Sequence, residues 1–414
     1  MMRDQSLLHD FWSKVFPESV EKLALGKGKW YNREGETYWR GGEMAKRRFK
    51  QLGMDSFFGS LVYDRAVPES HFLRKLEEIL PWERFTERLI RLYQGRAEKG
   101  RPPYDPVVIL KMLLLSYLYN LSERQTEMFA NDSLSAKHFL GLAVDEAAPD
   151  HSTLTAFKKR IIENHHIGEL EELLGEVVQV AQEREVHFGQ IQVVDSTHTV
   201  ANVNTGKDER RQKKENKDPR DRGAKWGAKH QRRYRDENGE VKTQTEYFYG
   251  YKAHTSMNAE TQIITSVVVT AGNAPDGKQF AALVDKDAKQ NLPVRIYGAD
   301  RGYDDSENHY LLEAKGLHSA ILLNTYRTAK KDSNKQRWVA LQETAEYQAG
   351  QRERYKIERK YGEAKENHGL RRCRYPGYLR YTVQAYLTVI VLNLKRMVKT
   401  ITGTNFKGRA NAQS

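Results

Sequence analysis

The hydrophobic pattern divides the chain into stretches of different period. Residues 1–56 are polar and aromatic with no regular spacing, and the glycine-punctuated stretch Gly26 to Gly42 reads as a loosely packed arm with no assigned role. From Pro81 onward, Trp82, Phe85, Leu89, Leu92 and Tyr93 recur at three- and four-residue steps, which places them on one helical face. After the Arg101-Pro102-Pro103 breaker, Asp105 serves as an N-cap and Pro106 as a first helical residue. The apolar run Val107 to Tyr119 then predicts a buried helix. Ser122 with Gln125 three residues later is a capping-box pattern that predicts a short helix to about Ala130. Ser133, and either Asp150 or Ser152, cap two more helices, over 134–140 and 152–163. Four short helices so spaced resemble a helix-turn-helix array, and a plain helical bundle fits the same pattern equally well.

Beyond Glu185 the period changes. His187 to Thr197 carries Ile191, Val193 and Val194 in a strand-like setting, and Glu246 to Ser256 with Gln262 to Ala271 predict a hairpin turning at Met257 to Glu260. A helix near 277–290, a strand Val294 to Ala299, a helix near 305–315 and a strand His318 to Leu323 follow. This order implies a mixed sheet with helices on its faces. The charged stretch Asn334 to Asn367 reads as one or two helices, Leu379 to Ile401 as a final apolar one, and residues 403–414 as a frayed tail. The expected division is therefore an arm over 1–56, a helical DNA-binding domain over 57–170, and an α/β domain over 180–402 with a basic insertion at 204–243.

Charge sharpens the picture. The 414 residues hold 68 Lys+Arg against 55 Asp+Glu, a formal net charge of +13, which favours acidic partners. More than half of that excess lies between Lys207 and Arg235, where 13 basic residues face 5 acidic ones. Its polarity, with Gly223, Gly227 and Pro219, predicts a long loop that orders when nucleic acid binds, with Lys225, Lys229, Arg232 and Arg233 as backbone contacts. The single cysteine, Cys373, excludes disulfide staples and cysteine-rich zinc sites and fits a reducing compartment. The apolar runs Val107 to Leu121 and Ala385 to Leu394 are too short or carry Lys111, whereas a membrane span needs about 20 apolar residues. With no secretory pattern at the start, the expected location is the cytoplasm, nucleoid-associated when on DNA, with no membrane partner.

Two carboxylates stand at the ends of apolar strands, Asp195 and Asp300, where an ionised group needs a metal or a cationic partner. Taken singly, each reads as a helix cap or turn residue. A third, Glu358, lies in the charged helical stretch with Arg354 and Lys365, all within about 60° on one helical face. That stripe suits a metal ligand with phosphate-gripping neighbours. Asp276, Asp304 and Asp305 read as caps or supporting groups, and His198, His254 and His368 as structural or surface histidines.

Three blocks carry a family resemblance: Val193-Val194-Asp195-Ser196-Thr197, Gly298-Ala299-Asp300-Arg301-Gly302-Tyr303, and the run from Arg354 through Glu358 to Lys365. Together with His368 to Gly377 and Asn393-Leu394-Lys395-Arg396, they resemble the DDE transposases of bacterial insertion sequences over roughly residues 57–402. A related group carries a Tyr-x-x-Arg-x-x-x-Glu-x-x-x-x-x-x-Lys signature, which Arg354, Glu358 and Lys365 match while Gln351 stands at the tyrosine position. The resemblance implies a ribonuclease-H-like catalytic domain behind an all-α N-terminal domain, with Asp195, Asp300 and Glu358 as catalytic metal ligands. It further implies Mg²⁺, with Mn²⁺ able to substitute, and double-stranded DNA as partner, both terminal inverted repeats and target. The expected assembly is a homo-oligomer in the synaptic complex. The alternatives are a retired transposase acting as a DNA-binding regulator, and a nuclease of the same fold without strand transfer.

Overall fold

The computed structural model describes residues 30–31, 37–38, 49–50, 52, 57–93, 102–163, 166–215, 217–235, 237, 239–324 and 333–406. Most of the arm expected over 1–56 lies outside these residues, as does the tail from 407. Residues 1–52 with 97–105 form one unit, in which Trp30–Tyr31 pairs antiparallel with Thr37–Tyr38. The other unit, 53–96 with 106–414, holds everything described below.

It begins with eight helices: α1 (Phe57–Ala66), α2 (Phe72–Ile79), α3 (Trp82–Leu89), α4 (Pro106–Leu118), α5 (Glu123–Asp132), α6 (Leu134–Leu140), α7 (His151–Glu163) and α8 (Glu169–Glu183). Every residue of α4 is buried, so this helix is the spine of the array. Its one charge, Lys111, is accommodated by Glu77 at 2.7 Å and by the face of Trp82 at 4.5 Å. The capping box of Ser122 and Gln125 opens α5, and Ser133 caps α6.

The sheet comprises β1 (Ile191–Val200), β2 (Lys225–Arg235), β3 (Val241–Asn258), β4 (Ile264–Ala271), β5 (Ile296–Ala299) and β6 (His318–Ile321). Among these run α9 (Thr205–Glu215), α10 (Phe280–Ala288) and α11 (Ser306–Ala314), and after them α12 (Ser333–Leu341), α13 (Ala345–Glu353), α14 (Tyr355–Asn367) and α15 (Tyr378–Thr402). β3 pairs antiparallel with β1, β2 and β4, while β1–β5 and β5–β6 are parallel. The main sheet thus reads β4-β3-β1-β5-β6, a ribonuclease-H-like mixed sheet.

Alternation along the strands gives the sheet two apolar faces. Val194, Tyr297 and Ile321 pack on Phe280, Leu283 and Val284 of α10 and Leu312 of α11, whereas Ile296 and Ala320 pack on Tyr347 of α13. At the β4 edge, the Asn393 amide of α15 accepts from Ile264 N at 2.8 Å and donates to Ile264 O at 2.7 Å, closing an otherwise open backbone pair. The segment ahead of α15 grips the end of α4: Arg374 donates to Ser116 Oγ at 2.9 Å and Leu121 O at 2.7 Å, and His368 Nδ1 donates to Tyr117 O at 2.8 Å. His368 is therefore a fully buried tie between the helical array and the sheet-bearing part.

The basic stretch is not the loop its polarity suggests. It folds as helix α9 and strand β2, the latter pairing along the outer half of β3 from Lys225↔Gly250 to Arg235↔Val241. Where this ribbon leaves the main sheet, three glycine backbones press together. A Cβ on Gly250 would lie 2.0 Å from Thr199 O, one on Gly227 2.1 Å from Gly272 O, and one on Gly272 2.6 Å from Lys225 O. No side chain fits at that crossing. Among the described residues, no helix is long and apolar enough to cross a membrane.

Candidate active site

β1 and β5 set the centre. Their register pairs Val194 with Ala299, and the next residues, Asp195 within β1 and Asp300 just past the end of β5, lie near enough for the charge of Asp300 to act on the Asp195 carboxyl. Both carboxylates are half-buried, and each accepts a backbone N–H: Asp195 from Ser196 at 2.7 Å and Asp300 from Gly302 at 2.9 Å. Two like charges so placed resist ionisation together. Burial first, and then the Asp300 charge, push the Asp195 carboxyl up to about 7. Burial also raises Asp300, the charge of Asp276 adds to this, and the Gly302 N–H and the Arg354 guanidinium oppose it.

α14 brings the rest of the site over the strand ends. Tyr361 anchors it: its hydroxyl donates to the backbone carbonyl of Asp195 at 2.6 Å and meets Thr255 Oγ1 at 2.7 Å. One helical turn earlier, Glu358 lies 3.7 Å from the Arg354 guanidinium and adds its charge to the field at Asp195. Its side chain is 61% exposed, so solvent reaches it at the open side of the site. Lys365, farther along α14, has its ammonium pulled down by burial first and then by the charges of Lys229 and Arg371, while Asp195 opposes. A cationic group thus borders the acidic one.

Lys229 also lies 3.3 Å from Glu246, and Lys225 is exposed at the base of the ribbon, where it shares a cleft with Trp226, Tyr249 and α9. Arg232 and Arg233 belong to the backbone of β2, and their side chains lie outside the described residues. Asp305 caps α11 through Glu307 N, and Asp304 accepts from Asn324 N and faces His309. His254 is fully buried behind the site rather than on the surface.

Gln351 performs a task its composition did not announce. Its amide donates to the carbonyls of Ala299, at 3.2 Å, and Ala320, tying the ends of β5 and β6 to α13 just before Asp300. Gln351→Leu is therefore expected to lower unfolding free energy by about 1–2 kcal/mol, since two strand-end carbonyls lose their donor. A urea midpoint equal to that of the parent would contradict this role. Tyr361, Arg371 and Lys252 are further residues of this region that spacing alone does not single out, and Lys252 pairs with Asp276, which reads from the sequence as a cap or supporting group.

Among the described residues, the grouping of His and acidic side chains tight enough to bring three ligand atoms within 4.8 Å is a different one, Glu127, Asp150 and His151 in the helical array. Its geometry is that of a helix start: Glu127 accepts from His151 N at 3.0 Å, and Asp150 from Ser152 N at 2.7 Å.

Comparison with known proteins bears on this arrangement. Residues 187–394, half of the chain, match the transposase DDE domain family, and residues 61–160 match the family described as transposase domain (DUF772). Among solved structures, the piggyBac transposase synaptic complex with hairpin DNA aligns at 10% identity over 86% of this chain and 78% of that one, with a TM-score of 0.35. The Mos1 transposase paired-end complex with left transposon end aligns at 9% identity over 79% and 95%, with a TM-score of 0.19.

Proposed function

Because this chain belongs to the DDE transposase family, we propose that it binds the ends of an insertion sequence and cuts and joins DNA strands at Asp195, Asp300 and Glu358. The observation that carries this reading is the placement of Asp195 and Asp300 at neighbouring strand positions, with no direct ion pair to either among the described residues. The donor set suits a hard divalent cation: carboxylate oxygens only, mutually repelling, hydrogen-bonded on one side by backbone N–H groups. Mg²⁺ is the expected ion, with Mn²⁺ as a substitute. Two such ions, when bound, activate an attacking oxygen and stabilise the leaving one in an in-line displacement at phosphorus.

The chain's own residues do the remainder. Asp195 and Asp300 supply oxygens from the strand ends, and Glu358 joins them from α14. Lys365, Lys229 and Arg371 hold phosphates beside the acids, and Lys225, Arg232 and Arg233 follow the backbone along the ribbon. Water attacks first, breaking a phosphodiester at the element end and leaving a 3′-hydroxyl. That hydroxyl then attacks target DNA, forming one phosphodiester and releasing another. Two ends must be held at once, so a homo-oligomer is the expected assembly.

The test is cleavage of DNA carrying the terminal inverted repeats, with Mg²⁺ and with EDTA, followed by joining of pre-cut ends. Metal-dependent nicking and joined product are expected, and binding is expected to weaken steeply as salt rises. The pairing of Glu358 with Arg354 is the one observation that favours a DNA-binding regulator without catalysis. Specific binding with no scission in Mg²⁺ or Mn²⁺ would establish that reading, and scission without joining would leave a nuclease.

A further inference from the structure

We propose that Asp276 is a further carboxylate of the metal centre, facing Asp300 across Gly302; this rests on the transposase reading of that centre. Asp276 stands before α10, where a capping role would be ordinary, yet its side chain makes no cap bond. One oxygen, Oδ1, takes the Lys252 ammonium at 2.8 Å. The other faces a gap: a Cβ on Gly302 would lie 3.6 Å from Asp276 Oδ2 and 3.1 Å from Asp300 Oδ1, so the two carboxylates flank the space that glycine leaves open.

Two buried polar atoms beside these carboxylates lack a hydrogen-bond partner among the described residues. His254 Nδ1 lies 3.7 Å from Asp276 Oδ1, and the Tyr303 hydroxyl is close enough to Asp195, Asp276 and Asp300 to sense all three charges. Both side chains are fully buried. A lone structural ion pair between Lys252 and Asp276 would leave both orphans unsatisfied at a desolvation cost. A cation held by Asp276 and Asp300 would bring water that could satisfy them, as donor or acceptor. Lys252 then offsets the negative charge that gathers there when no cation is bound.

The experiment uses the full chain without DNA and Mn²⁺ alone, with free Mn²⁺ followed by electron paramagnetic resonance. Asp276→Asn, which keeps size and shape, is expected to weaken Mn²⁺ binding about tenfold or more. Asp300→Asn should weaken it at least as much. Lys252→Met is expected to tighten binding, and that gain should vanish when combined with Asp276→Asn. Parent-like Mn²⁺ binding in Asp276→Asn, with loss in Asp300→Asn, overturns this proposal and leaves the transposase reading standing. Parent-like binding in Asp300→Asn sinks both. Should Asp276→Asn fail to fold, Lys252→Met decides: tighter binding supports the proposal, and no change overturns it.

Discussion

Asp195→Asn is expected to act in opposite directions on catalysis and on stability. Cleavage of end DNA should fall by at least about 10²–10³-fold, the scale on which removal of one preorganised transition-state contact is felt. The metal-free protein should meanwhile become harder to melt. Burial, and after it the charge of Asp300, raise the Asp195 carboxyl from the ordinary 3.8 to about 7 in the folded chain. A folded value raised in this way favours folding fully below the unfolded value, and the contribution is lost as pH climbs to about 7. Near neutrality the metal-free protein therefore holds a carboxylate it would rather keep protonated, at a cost on the order of 2–4 kcal/mol. Asparagine removes that cost. Calorimetry in EDTA should show the parent's melting temperature falling between about pH 4 and 7, and the variant's falling less. Added divalent cation should raise the parent's melting temperature more than the variant's. Identical melting temperatures and pH slopes would refute the electrostatic account of the pair.

Gly250→Ala is expected to be the most damaging single-methyl change in the sheet. Its new carbon would sit 2.0 Å from the Thr199 carbonyl, and backbone cannot rotate out of the way as a flexible side chain could. A loss of about 3 kcal/mol or more is expected, or failure to accumulate as folded protein. Gly362→Ala is the matched control: it lies in α14 with open space around its Cβ position, and alanine there should stabilise by about 0.5–1 kcal/mol. Urea denaturation of both measures the contrast, and equal midpoints would mean that the crossing at Gly250 yields.

Much of this fold could be read from residue spacing. The β3–β4 hairpin, the alternation from α10 to β6 and the caps at Ser122 and Ser133 all follow local rules, because each is decided by neighbours in sequence. The setting of Asp195 and Asp300 at neighbouring strand positions follows from each ending an apolar run in a parallel pair. β2 escaped for a physical reason. Its Lys-Trp-Gly-Ala-Lys-His-Gln-Arg-Arg-Tyr-Arg run is held by backbone pairing to β3, and a mostly exposed ribbon has no period-two burial to advertise it. The exposure of Glu358 and its distance from Arg354 depend on side-chain torsions, which spacing on a helix does not specify. The Lys252–Asp276 pair joins residues from separate elements, so only the folded chain reveals it.

β3 joins the basic ribbon to the sheet as one continuous strand. Its 18 residues reach at most about 60 Å, with the outer half in the basic ribbon and the inner half beside β1. Thr255, on the inner half, touches the same Tyr361 hydroxyl that holds Asp195. A tug on the distal tip is therefore transmitted through covalent bonds to the neighbourhood of the reacting groups, like tension along a rod, without passing through any soft interface between separately packed bodies.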